Sequence, residues 1–473
     1  MAPTSSSLAS FAVRQAVDEA TCAASARAIL DTLAVIAAGH REDPVTRVAS
    51  ALRYANGGDA MPSLGGEGAY RQEDAALVYG TASHALDYDD VCMLAICHPS
   101  APVVAALLAA APWDDLTGPA LCEAHAIGTE VMIRIGQAVG FRHYELGFHS
   151  TATMGVFGAT AAVARLRGLD TETTATALAI AASLSSGLRL NFGTMVKPLH
   201  VGIAAANALR AVAWASADVE ASHGDLFAAG GVLEAFSGGT QRTWPESLSL
   251  GAPFAIARPG FEQKRYPCCY MLHKIIALGI EASTAGLRLG DVARLRIEMP
   301  RGGTRPLIYP RPVSGREAMF SAPYTLLVAL NEGNVGFASF TDDAVARQHI
   351  RSRFEDVTVE EVGDDLRTAA QVGEAPVCLE LQLKDGSVRR FERHAAPGSP
   401  GDPLSSTELR AKWVDCLARA RAVAETGGTD QAAAALYDEG LDRLRAGNLA
   451  PWLNAVWNQF GCASDTLHNG VLG

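Results

Sequence analysis

Residues 375–394, APVCLELQLKDGSVRRFERH, decide how the chain is read. The stretch reads as a β-hairpin turning on Asp385-Gly386, a strong two-residue turn signal. Upstream, DVARLRIEMP (291–300) alternates as a strand does and stops at proline. Between them SAPYTLLVALNEGNVGFASF (321–340) and TDDAVARQHIRSRF (341–354) have helical texture. Strands and helices therefore mix over residues 263–400, and AAPGSPGDPLS (395–405) closes that region as a Pro/Gly/Ser linker.

On either side the texture is different. From about residue 10 to 260 nearly everything reads as helix broken by short Gly/Pro punctuation, as in CAASARAILDTLAVIAAG (22–39), which ends on a glycine stop. Small-residue faces, as in TATMGVFGATAAVARLRG (151–168), allow helices to approach closely. Helices return at 406–446 and 450–459. The expected fold is mainly α: a large all-helical domain formed by both chain ends (1–262 and 401–473) with a smaller α+β domain (263–400) inserted.

Length and composition fit this. A chain of 473 residues, 49% of them hydrophobic, favours two domains. A net charge of −12 argues against a general nucleic-acid binder but leaves room for a local cationic pocket. Nine cysteines without a CxxC pair suit reduced thiols in a cytoplasmic setting. Cys92, Cys97 and His98 lack a second ligand pair at zinc spacing, so no metal is expected. The N-terminus lacks a signal-peptide pattern, and no membrane partner is expected.

Four polar clusters interrupt the apolar background. In HALDYDDVCMLAICHPS (84–100), His84, Asp87 and Asp90 recur at helical spacing and His98 opens the next segment. The plainer reading is a satisfied core histidine followed by an acidic helix end. In FRHYELGFHST (141–151), Arg142, His143, Tyr144 and His149 crowd together, although Ser150 or Thr151 could simply cap a helix from Ala152. GTMVKPLH (193–200) places Lys197 beside a proline and three residues before His200, with Arg189 and Asn191 upstream. Lys197 is either a proton carrier whose pKa falls in apolar surroundings or a lysine snorkelling to water. KRYPCCYMLHK (264–274) adds Lys264, Arg265, Tyr266 and His273, with Cys268 and Cys269 better read as inert buried thiols than as nucleophiles.

Together these clusters offer cations and proton carriers but few carboxylates. That suits a site that grips a small di- or tricarboxylate and moves a proton at the carbon beside a carboxylate. No nucleotide-binding, zinc-peptidase or serine-elbow motif is present.

At these residues the chain resembles the MmgE/PrpD family. The matching stretches are ILDTLAVIAAG near the start, HALDYDD…HPS at 84–100, FH at 148–149, NFGTMVKPLH at 191–200, KRYPCCYMLH at 264–273 and FSAPY at 320–324. The resemblance implies a cofactor-free homodimer with its site between a helical and an α+β domain. It places Asp87, His98, His149, Lys197 and His273 on the pocket. Where the decarboxylase branch carries threonine after its acidic cluster, this chain has Val91. The epimerase branch, which acts on iminodisuccinate, is the better match. There Lys197 and Tyr144 would be paired bases, His149 and Asp87 would assist, and His98, His200, His273, Arg189 and Lys264 would hold the substrate. A hydro-lyase of the 2-methylcitrate type, a cis-aconitate-type decarboxylase and a non-catalytic carboxylate binder are the alternatives.

Overall fold

The structure is a computed structural model that describes residues 4–52, 60–64, 68–222, 225–364, 366 and 368–460; Cys462 and the rest of the C-terminal segment lie outside them. The chain separates into two compact units. One comprises Met1–Leu190, Met195–Phe261 and Ser405–Gly473, the other Asn191–Thr194 and Glu262–Leu404. Helix predominates throughout.

The larger unit is a stack of small-faced helices. Its first long helix, Glu19–Gly39, starts where Asp18 Oδ1 accepts the Thr21 amide at 2.7 Å. By length and composition this helix could cross a bilayer, but 78% of its apolar window is buried inside the protein. Its one buried carboxylate, Asp31, is paired with Lys412 Nζ at 2.7 Å. That lysine belongs to the returning helix Ser406–Ala424, which opens on a reciprocal cap between Ser405 and Glu408. The next helix, Asp430–Ala446, fits just as closely. A Cβ at Gly440 would lie 2.5 Å from the Trp452 ring and 2.8 Å from Leu30. The two chain ends thus share one core.

Close approach matters most between the helices Gln72–His84 and Val196–Ser216. A Cβ at Gly80 would sit 2.7 Å from Gly202 Cα, and one at Gly202 only 2.2 Å from Leu77 O. The helices Gly118–Val139 and Ser150–Leu166 repeat the device, with a Cβ at Gly128 2.7 Å from Gly158 O. With no side chain in the way, backbones meet directly, so the helix ends that carry polar residues are fixed in register.

In the smaller unit, four strands form a sheet: β1 (Val292–Pro300), β2 (Val357–Val362), β3 (Val377–Leu383) and β4 (Val388–Arg393). Their order is β2-β1-β3-β4, with β1 and β2 parallel and the other pairs antiparallel. The helices His273–Thr284 and Ala322–Glu332 belong to this unit. The β3–β4 turn is one residue longer than the two-residue reading. Leu383 N donates to Ser387 O, Gly386 stands at φ +88°, and Asp385 Oδ1 accepts the Ser387 amide at 2.8 Å. A glycine in the left-handed region supplies the bulge such a loop needs. The stretch 341–354 also differs from the single helix expected, breaking into Asp342–Ala346 and Gln348–Arg351.

The Gly80–Gly202 contact predicts that Gly202→Ala destabilises the protein by about 1–3 kcal/mol through overpacking. A lowered thermal midpoint checks this, and an unchanged one would show that the two helices can separate at no cost.

Candidate functional site

Lys197 is the second residue of its helix, and Pro198 follows in the same first turn, where a missing amide hydrogen costs nothing. The side chain is buried, yet its surroundings are not the apolar ones expected. Nζ donates to Asp87 Oδ2 at 2.9 Å and to His84 Nε2 at 2.7 Å. His84, the last residue of the facing helix, turns its Nδ1 to Asp89, 2.9 Å from each carboxylate oxygen. Asp89 Oδ2 also lies 3.1 Å from His98 Nδ1, and His98 Nε2 stands 3.9 Å from Asp87. The His84 and His98 rings meet edge-on at 4.3 Å.

Two more histidines continue the cluster. His149 precedes the Ser150–Leu166 helix, its ring 6.0 Å from that of His84, and its Nδ1 is 3.2 Å from His200 Nδ1. Its amide donates to Gly187 O, and a Cβ at Gly187 (φ +138°) would press on Ala152 at 2.5 Å. Only glycine lets this strand of backbone pass so near the imidazoles. Thr151 is not a cap, because the helix begins one residue earlier; its Oγ1 accepts the His98 amide at 3.1 Å.

The loop after His84 is tied at each step. Asp87 adopts φ +48°, a left-handed conformation that aspartate tolerates better than most residues. Lys412 Nζ donates to Tyr88 O at 2.9 Å and lies 3.9 Å over the Tyr88 ring. Asp90 does not share a helical face with His84 and Asp87, as the spacing suggested, but anchors the loop. Its Oδ1 accepts the Ser100 amide at 3.1 Å, its Oδ2 binds the Ser100 hydroxyl, and His125 Nε2 lies 3.0 Å from that hydroxyl.

Burial sets the protonation states. Desolvation, with the charge of Lys197 adding to it, lowers His84 to about 4 even though Asp89 opposes the shift. His200 falls to about 4, and His149 well below its usual value, for the same reasons. Burial alone would raise Asp89, but His84 and His98 overcome it and hold that carboxyl well below the carboxylate range. The resting cluster is thus a lysine beside the neutral imidazoles of His84, His149 and His200 and an ionised Asp89.

His84, Asp87, Asp89 and His98 bring donor atoms within 4.8 Å of one another, a spacing a metal ion could use. These atoms are turned on each other and on Lys197 instead. Cys92 and Cys97 pair through their backbones, Cys92 N to Cys97 O at 2.8 Å, and are not part of that group.

Of the residues singled out from sequence, Asp87, His98, His149, Lys197 and His200 meet here. Tyr144 is buried nearby in the chain, with the Arg189 guanidinium 4.0 Å over its ring. Arg189 N donates to Gly147 O at 2.8 Å, and its Nε has no hydrogen-bond partner among the described residues. His143 is structural, held between Phe236 O and Thr153 and stacked on Phe148. Lys264 and His273 belong to the smaller unit, where both are fully buried and the rings of Tyr266 and Tyr270 flank His273 at 5.2 and 5.5 Å. The sequence reading takes His84 for a satisfied core histidine and Asp89 for part of an acidic helix end, and counts neither among the site residues. The signal available was a histidine followed within six residues by three acids, ahead of an apolar loop.

A mainly helical fold with a four-stranded sheet thus carries a buried Lys/His/Asp cluster whose groups can exchange protons. Residues 6–245 match the MmgE/PrpD N-terminal domain and residues 266–435 the MmgE/PrpD C-terminal domain, so the chain belongs to the MmgE/PrpD family. Among its relatives, the cis-aconitate decarboxylase of Homo sapiens is 27% identical over 351 residues, 72% of this chain and 71% of that protein. The Mus musculus cis-aconitate decarboxylase is 27% identical over 354 residues, 72% and 70% of the two chains. That of Aspergillus terreus is 30% identical over 210 residues, 42% and 43%.

Burial pushes the Asp90 carboxyl up to about 8, Asp31 and Asp89 add to this, and the Ser100 hydrogen bonds oppose it. An acid raised on folding stabilises the native state fully below its unfolded value near 4 and loses that contribution as pH rises toward 8. Asp90→Asn, whose oxygen still accepts the Ser100 amide and whose NH2 can donate to the Ser100 hydroxyl, should therefore gain thermal stability relative to the parent between pH 5 and 8. Parallel melting curves over that range check this; a constant difference would mean Asp90 is ionised throughout.

Proposed function

We propose that this enzyme moves a proton, without a cofactor, at the carbon next to a carboxylate of a small dicarboxylate, and that the outcome is epimerisation of an iminodisuccinate-like acid. The observation that carries the reading is Lys197: a buried ammonium at a helix start, gripped by Asp87 and His84. A carbon acid of this kind ionises only when a base lies against its C–H bond and cations receive the charge that spreads into the carboxylate. Lys197 as amine takes the proton, the electron pair passes into the carboxylate, and Tyr144 returns a proton to the opposite face. Arg189, with an unsatisfied Nε, is suited to grip a substrate carboxylate. His149 and His200 supply neutral donors, with His98, His273 and Lys264 as further carboxylate ligands in this reading.

The decarboxylase names of the relatives favour a second reading, a lyase acting on a cis-aconitate-like tricarboxylate. Against it stands Val91, buried and without a hydrogen-bonding group where that branch has threonine. A hydro-lyase would use the same abstraction followed by loss of a β-hydroxyl.

Incubation of iminodisuccinate, citrate and cis-aconitate with the protein in D₂O, followed by NMR, separates these. Deuterium at the α-carbon with inversion is expected from iminodisuccinate, and Lys197→Ala should slow it about 10²–10⁴-fold. CO₂ release from cis-aconitate would establish the lyase instead. Exchange that survives both Lys197→Ala and Tyr144→Phe would defeat the two-base mechanism.

A further inference from the structure

We infer that Asp89 is the positioning residue of this site and that His84, held by it, receives the proton of Lys197, so that Asp89–His84–Lys197 forms a buried relay converting the resting ammonium into a base. The inference rests on Lys197 being the group that moves the substrate proton.

Donor chemistry fixes the direction of the chain. An ionised carboxylate only accepts, so the imidazole nitrogen 2.9 Å from both Asp89 oxygens is the one carrying hydrogen. Nε2 of His84 is therefore the lone-pair nitrogen, and it is the atom facing Lys197 Nζ at 2.7 Å. Ammonium has no lone pair, so this contact is an N–H donated by lysine. With the lysine protonated, no other arrangement of hydrogens satisfies both contacts, and moving that proton to Nε2 keeps both. The same carboxylate reaches His98 Nδ1 at 3.1 Å, so one buried group orients two rings. Carboxylate partners of this kind set tautomer and raise basicity in histidine sites generally.

The step balances. One proton passes from Nζ to Nε2; the N–H bond of lysine breaks, that of imidazole forms, and no heavy atom need move. Positive charge leaves the side of Asp87, 2.9 Å from Nζ, and arrives beside Asp89. The freed amine then takes the α-proton and becomes ammonium again. When the Tyr144 phenol reprotonates the carbon it is left as phenolate while His84 holds one proton too many; His84 gives that proton to solvent and solvent protonates the phenolate, which restores the resting state. The groups facing His84 from its own loop and from the neighbouring helices are Asp89, His98, Lys197 and His149, with His200 behind His149. Burial keeps His84 neutral at rest, as a receiver must be.

The clamp is tested without substrate. In protein carrying ¹⁵N-histidine, the His84 signals should show hydrogen on Nδ1 and a free Nε2, and Asp89→Asn should relax that preference. Hydrogen on Nε2 in the parent protein overturns the inference. The relay is tested on exchange into iminodisuccinate, or on cis-aconitate turnover where that is the acid consumed. His84→Gln still accepts from Lys197 but stores no proton. Its kcat–pH profile should have its ascending limb moved up by about a unit or more, toward the free-lysine value of about 10.4, with KM changed less than about threefold. Asp89→Asn should lower kcat by about 10²–10⁴. A purely structural role would lower activity and leave the limb in place, which would overturn the relay. Should Lys197→Ala leave exchange intact, the functional reading fails; should lysine be essential while the His84→Gln limb stays put, the relay alone fails.

Discussion

An ammonium group taken out of water must be given acceptors, and the arrangement around Lys197 follows from how this chain supplies them. The cost of burying an unpaired cation is several kcal/mol, enough to consume much of a typical protein's net stability. Two acceptors of different kinds meet it. Asp87 contributes a charge and His84 a neutral lone pair. A second carboxylate in place of His84 would bind the cation more tightly and leave it no route to lose its proton. A second apolar neighbour would leave the charge unmet.

The fold delivers those acceptors by unusually direct means. His84 ends one helix and Lys197 begins another, and the two helices touch backbone to backbone at Gly80 and Gly202. Side-chain padding there would move the two nitrogens out of hydrogen-bond range. The loop carrying Asp87 and Asp89 is then fastened by a residue far away in sequence, Lys412, whose ammonium holds the Tyr88 carbonyl and pairs with Asp31. Removing the returning helix would thus unfasten the acidic loop as well as expose core. In the smaller unit, the segment Asn191–Thr194 just ahead of Lys197 is placed by Gly193, whose φ of +78° admits no bulkier residue against the Tyr309 ring.

Much of this was legible in the sequence. Helical periodicity, the Asp385-Gly386 hairpin and the small-residue faces announce a mainly helical chain with a sheet-bearing stretch, because period and turn chemistry are local properties. Lys197, His149 and His200 stood out as polar groups in apolar settings. His84 reads as structural, since a core histidine with satisfied nitrogens looks the same in sequence whatever satisfies it. Here the partners are Asp89, five residues on, and Lys197, more than a hundred residues on. Asp90 misled for the converse reason: its helical spacing from His84 and Asp87 suggested a shared face, whereas the chain leaves the helix after His84 and turns Asp90 to Ser100. Spacing arguments hold only as far as the element that generates them.

The charge of the cluster bears on what it can hold. With His84, His149 and His200 neutral and Asp89 ionised, Lys197 is already matched by the acids beside it. A dicarboxylate cannot be held by that lysine alone, because the cation's first two hydrogen bonds are taken. Its grip must come from groups with spare donors, and in the larger unit Arg189 is such a group, its guanidinium over Tyr144 and its Nε unsatisfied. In the proposed reaction, binding and proton transfer would thereby fall to different cations, one always protonated, the other able to lose its proton to a neighbouring ring. The proposed reaction, which changes one C–H bond and then releases the acid, would benefit from that separation, since a lysine committed to gripping a carboxylate would not be free to act as a base.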